Sequence, residues 1–307
     1  MADAITMHDA TDQNQYNPAQ SDQSQTNDTV FDSVFKTMMH KMPKLVVPFV
    51  NEVFGRNYPL DQPVIRLGDE HEKDQGRIVS DSVFRIDKKL YHLECQSTSD
   101  SSMVVRMVEY DFHIALEQAI AKGAPYEMDF PASCVLFLRH NSQTPDVMHI
   151  KVNLPDGSSF PYTTKVVKAQ TYGSDDLFEK HLLLLLPYYL MRYESALDQI
   201  AGDDTRTAKL VEECVELNAR LAKDVLSSGD RLLYEQLIEL IIRIVDHIMR
   251  KQDSLRGKVR SAMGGEVLEL VNDRAARLEK EAEKRGYEQG QQQGIEQGVK
   301  QGIEQGV

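Results

Sequence analysis

The stretch Asp81-Ser82-Val83-Phe84-Arg85-Ile86-Asp87-Lys88-Lys89-Leu90-Tyr91-His92-Leu93-Glu94-Cys95-Gln96 reads as a β-hairpin that carries acids where packing alone would not choose them. The segments Ile78 to Ile86 and Leu90 to Gln96 are rich in β-formers and alternate in polarity, and Asp87-Lys88-Lys89 between them is polar enough to turn. A two-residue turn at Asp87-Lys88 sets Asp81 directly opposite Glu94, with both side chains on one sheet face. The same period of two puts His92, Glu94 and Gln96 on that face and Tyr91, Leu93 and Cys95 on the other, which predicts one face for chemistry and one for packing.

Two carboxylates facing each other across a sheet repel and raise each other's pKa unless a cation lies between them. Mg²⁺ takes oxygen ligands, commonly one or two carboxylates with water and phosphate, so Asp81 and Glu94 suit it, or Mn²⁺, better than zinc, which prefers His and Cys. Such an ion polarises a phosphodiester and lowers the pKa of its bound water. The competing interpretation is that the acids decorate a solvated sheet face, where charged residues are common.

Asp81 followed by Glu94-Cys95-Gln96 on the next strand resembles the PD-(D/E)XK nuclease signature, with Gln96 where a lysine usually stands. With Asp32 ahead of Val34-Phe35-Lys36, and Met103, Arg106 and Tyr110 beyond Ser97, residues 30 to 175 are similar to the recombination-promoting nuclease and transposase family of that superfamily. The resemblance implies an α/β fold: a restriction-endonuclease-like core with a mixed sheet flanked by helices, followed by a mainly α-helical C-terminal region. It also implies a metal-dependent DNA endonuclease linked to recombination or mobile elements, with Mg²⁺ as cofactor and DNA as partner. Asp81 and Glu94 would be the metal ligands, and Gln96 would orient the attacking water and the scissile phosphate. A neutral amide only exchanges hydrogen bonds where a lysine would neutralise charge, so the catalyst would be modest. The alternative is a catalytically idle nuclease fold kept as a binding or assembly module.

Asp32 and Glu52 compete for a further acidic role. Asp32 matches the family's opening pattern, yet an acid in a first helical turn is also favoured by the helix dipole. Glu52 ends a second apolar stretch, Leu45 to Phe54, entered through Pro43. Arg106, Tyr110, His113 and Glu117 follow helical spacing on a helix expected from Ser101 to Gly123, forming a polar stripe from which Arg106 could meet a phosphate and Tyr110 could hold the sheet end. Cys95 alternates inward and is expected to be packed.

The chain has 307 residues and 41% hydrophobic content, enough for a core, and carries a net charge of -13. That balance is unfavourable for phosphate binding, but it is uneven: residues 1 to 29 hold five Asp and no Lys or Arg, whereas residues 30 to 123 hold 12 Lys and Arg against 14 Asp and Glu. DNA affinity is therefore expected to be weak and salt-sensitive. Three scattered cysteines indicate neither a disulfide framework nor a zinc cluster, consistent with a reducing cytoplasm. No signal segment is expected, and the run Leu182 to Leu186 stops at Pro187, far short of a membrane span.

Four regions are expected: a polar, disordered tail at 1–29, the nuclease-like domain at 30–174, a helical region at 175–285 and a Gly/Gln repeat tail at 286–307. Strands are predicted at Val64 to Leu67, Ser133 to Arg139, Val147 to Leu154 and Phe160 to Ala169, the last two joined by Pro155-Asp156-Gly157. The apolar positions between Leu232 and Ile248 are too wide a face for an exposed helix, so that region should pack as a bundle or against a partner, a homodimer being one outlet. In the tail, Gly286 to Gly306 recur every four residues. Each glycine costs a helix about 0.8 to 1.0 kcal/mol relative to alanine, which favours a flexible or conditionally helical interaction tail.

Overall fold

The computed structural model describes residues 30–67, 70–71, 78–79 and 82–264. Both terminal tails and Asp81 lie outside these residues. Helix α1 (Val30–Lys41) forms because Phe31, Val34, Phe35, Met38 and Met39 fall on one buried stripe. Pro43 opens a short 3-10 turn into α2 (Val46–Phe54), which ends at Gly55. Gly55 adopts φ 60, the left-handed conformation that closes a helix and that glycine takes without steric cost.

Strand β1 (Val64–Leu67) follows, then the short strands β2 (Glu70–His71) and β3 (Ile78–Val79), which pair only with each other. The hairpin is β4 (Ser82–Ile86) and β5 (Lys89–Gln96), joined by Asp87 and Lys88. Its register is the expected one, from Ile86 opposite Lys89 to Ser82 opposite Leu93. Asp87 takes φ 53, a left-handed turn position that Asp tolerates better than most side chains. The long first strand expected from Ile78 to Ile86 is described as β3 and β4, and residues 80 and 81 between them lie outside the described residues. Leu67 pairs with Val83 in one ladder and Glu70 with Val79 in the other, one residue out of step, so no single register serves both ladders.

Helix α3 (Met103–Lys122) crosses over from β5 to β6 (Ala132–Phe137), which pairs parallel to β5. Strand β7 (Val147–Asn153) turns back into β8 (Ser159–Lys168), and β8 pairs parallel to β6. The mixed sheet runs β1-β4-β5-β6-β8-β7. One face carries a small core of Met103 and Met107 from α3 against Val135, Phe137, Met148 and Tyr162. The other face, with Phe84, Tyr91, Leu93, Cys95, Cys134 and Leu136, joins a larger core shared with α1 and α2.

That larger core continues without a break into the C-terminal helices. These are α4 (Ser174–Glu179), a 3-10 segment over Leu183–Ala196, α5 (Leu197–Ala201), α6 (Asp204–Leu221), a π-helical turn over Ala222–Leu226, α7 (Arg231–Ile248) and α8 (Asp253–Ala262). The wide apolar face of α7 is met inside the chain, where Leu237, Ile238, Leu240, Ile241, Ile244 and Val245 are all buried in that core. The run Leu182 to Leu186 is likewise interior. Among the described residues no helix is long and apolar enough to cross a membrane.

Candidate functional site

Glu94 lies on β5, third of the six strands, on the face covered by α3. Its neighbour two residues back, His92, points the same way because side chains alternate along a strand. The face expected to carry the chemistry is not a solvated one at these residues: His92 is fully buried and Glu94 is 1% exposed, because α3 lies over them. Only Gln96, at the strand's end, is partly open.

A buried carboxylate and imidazole must be compensated, and both are. His92 Nδ1 is 2.7 Å from Asp111 Oδ1, and Asp111 comes from α3. Ser133 Oγ and Tyr162 hydroxyl each donate to Asp111 Oδ2 at 2.6 Å. The parallel pairing of His92 with Ser133 places that serine, and Thr164 Oγ1 on β8 steadies the same strand by donating to Ser133 carbonyl oxygen at 3.1 Å. His92 Nε2 lies 3.5 Å from Glu94 Oε2, near enough for charge attraction but without the alignment of a hydrogen bond. Burial alone would lower the His92 pKa; the hydrogen bond to Asp111, with Glu94 close behind, overrides it and raises the pKa to about 9. His92 is thus an imidazolium at neutral pH. Burial, reinforced by Asp111, pushes the Tyr162 hydroxyl up, so it remains a donor.

On the outer side, Arg106 Nη2 lies 3.5 Å from Glu94 Oε1, and Arg106 Nε donates to Tyr110 hydroxyl at 3.3 Å. The Tyr110 ring meets His92 edge to face at 6.0 Å. Arg106 therefore lines Glu94 and Tyr110 lines His92, so the two do not form a wholly solvated stripe, although the Arg106 side chain is 42% exposed.

The start of α1 reaches the end of β5 through Arg139, just beyond β6. Its guanidinium stacks 4.7 Å from the Phe31 ring, donates to Ser97 carbonyl oxygen at 3.3 Å and grips Glu194 with two bonds of 2.6 and 2.8 Å. Asp32, next to Phe31, is partly buried in the first turn of α1. Glu52 is tied elsewhere, 2.8 Å from Lys180 Nζ. Cys95 is buried, as expected.

The sequence did not single out Asp111, Ser133 or Tyr162. A signal for Asp111 existed: it interrupts the apolar stripe of Met103, Met107, Ile114 and Ala115, where an acid must have a buried partner. Among the described residues no three His, Cys, Asp or Glu side chains are grouped to hold a metal. No family model, curated protein or solved structure matches the chain.

Proposed function

We propose that the protein is a metal-dependent DNA endonuclease of the PD-(D/E)XK type, hydrolysing phosphodiester bonds at the end of β5. The observation that carries this proposal is the connectivity: a helix, a three-stranded antiparallel meander, a crossover helix and a parallel strand, with Glu94 and Gln96 closing the meander's last strand, β5, beside that helix. The expectation that Asp81 works with Glu94 rests on the hairpin register of the sequence, which the described pairs keep as far as Ser82 opposite Leu93.

Mg²⁺ or Mn²⁺ would be held by Asp81 and Glu94. Oxygen donors suit such an ion, and both Glu94 oxygens already draw a cationic nitrogen to 3.5 Å. When bound, the ion would supply a polarised phosphate oxygen and an activated water. His92, fixed by Asp111, holds one Glu94 oxygen in place. Arg106, long and partly exposed, can leave the other and meet phosphate charge. Gln96 would orient water through its amide.

The same geometry also favours a second possibility, a nuclease fold that binds without cutting. His92 and Arg106 already compensate Glu94, so the carboxylate needs no ion to be stable there. Plasmid nicking with Mg²⁺ or Mn²⁺ separates the two. Cleavage by the wild type that is lost in Asp81→Ala and Glu94→Ala supports the enzyme. Equal cleavage by all three, or none by the wild type across both metals, overturns the nuclease in favour of the binding module.

A further inference from the structure

At the opposite end of β5 from Gln96 the hairpin turn, the last turns of α3 and the segment entering β6 enclose a cleft of about 560 Å³. Its volume falls in the range of small-molecule sites, about 300 to 1,000 Å³. In a chain of net charge -13 this cleft is basic: five cations, Arg56, Arg85, Lys88, Lys89 and Lys122, line it against the carboxylates of Asp87 and Asp129. Asp129 is engaged by Lys122 at 2.7 Å, and Arg85 is held in place by donating to Gln118 Oε1 at 2.7 Å. Lys88 and Lys89 are exposed and make no ion pair among the described residues, so five cations against two carboxylates leave the cleft a net positive charge. The C-terminal end of α3 adds roughly half a negative charge nearby, which does not offset the excess of cations.

Charge is not the cleft's only feature. Phe130, 36% exposed, forms part of the wall with Leu90 and Ala132, and its ring is braced edge to face by Phe112 at 6.5 Å and Tyr162 at 6.1 Å. A fixed aromatic ring beside several cations matches a ligand that joins a planar ring to phosphoryl groups. We propose that this cleft binds a nucleotide, its phosphates on Lys88, Lys89 and Arg85 and its base against Phe130. The nucleotide is either free or a residue of a single strand, since both present the same chemistry.

The site is separate from the candidate nuclease centre. Lys89 and Gln96 bound the same strand, and at about 3.3 Å per residue their ends are roughly 23 Å apart. The test therefore measures binding, with the full chain in EDTA at low salt, so its failure and the failure of the nuclease are distinguishable. The probes are a fluorescent ATP analogue, fluorescein-labelled dT12, and inorganic tripolyphosphate as competitor. The expected result is binding of the analogue or of dT12, displaced by tripolyphosphate and weakened about tenfold or more by K88E/K89E. Phe130→Ala should weaken the analogue while leaving tripolyphosphate affinity in place. Preference for the analogue identifies a free nucleotide, and binding of dT12 alone identifies a strand. Lys88 and Lys89 are exposed on the turn, so K88E/K89E should fold; Arg56→Glu, on another part of the wall, is the second variant and should weaken binding in the same way. No binding of either probe, or binding unchanged in both charge variants, overturns the proposal.

Discussion

Moving an imidazole from water into the space between a sheet and a helix disfavours its charged form, and at His92 the Asp111 carboxylate reverses that preference. The folded pKa of about 9 stands above the unfolded value of 6.5. Its stabilisation is therefore complete below about pH 6.5 and is lost as pH rises through about 9, a contribution on the order of 3 kcal/mol. Urea unfolding of wild type and His92→Gln across pH 6 to 10 should show the difference between them shrinking over that window; a constant difference would mean His92 is neutral when folded. Asp111→Ala should cost about 3 to 5 kcal/mol at pH 7, because it leaves a buried imidazolium and two buried donors without their acceptor. Glu94 was legible in the sequence as a chemical residue. Its environment was not, since Asp111 is 19 positions from His92 and meets it only through the packing of α3 on the sheet.

Among the elements, the hairpin was readable because a two-residue turn and a period of two leave little freedom in register, and β5 kept the predicted pairing. Helix α3 was readable from the helical spacing of Arg106, Tyr110, His113 and Glu117 and from the stop at Gly123. The one-residue offset between the β1–β4 and β2–β3 ladders was not, since local alternation does not report which residues pair across strands. Nor was the joint at Arg139, where one guanidinium binds the end of β5, the start of α1 and the 3-10 segment. Its partners are 42 and 55 positions away. Arg139→Ala should lower stability by roughly 2 to 3 kcal/mol, since bonds to a charged group are about twice as strong as neutral ones. Thermal unfolding would check this, and a loss below about 0.5 kcal/mol, the range of ordinary surface changes, would show that the three contacts are not rigidly held.

At the scale of the molecule, the sheet's Tyr91, Leu93 and Cys134 and the helical Leu184, Leu237 and Ile241 belong to one buried core. A truncated chain ending at Gly173 would expose the apolar sheet face that the later helices cover. It should lack a cooperative melt and bind hydrophobic dyes, whereas the full chain should melt in one transition by circular dichroism. Two separate transitions in the full chain would instead mark independent units. The sequence by itself determined the six strands of the main sheet, the hairpin register and the helical character after Asp175, because each follows from periodicity and local turn chemistry. Only the tertiary structure decided that α3 buries the Glu94 face, that Asp111 charges His92, and that the turn lysines share a cleft with Phe130. Those outcomes depend on which distant side chains packing brings within a few ångströms, and no local pattern encodes that.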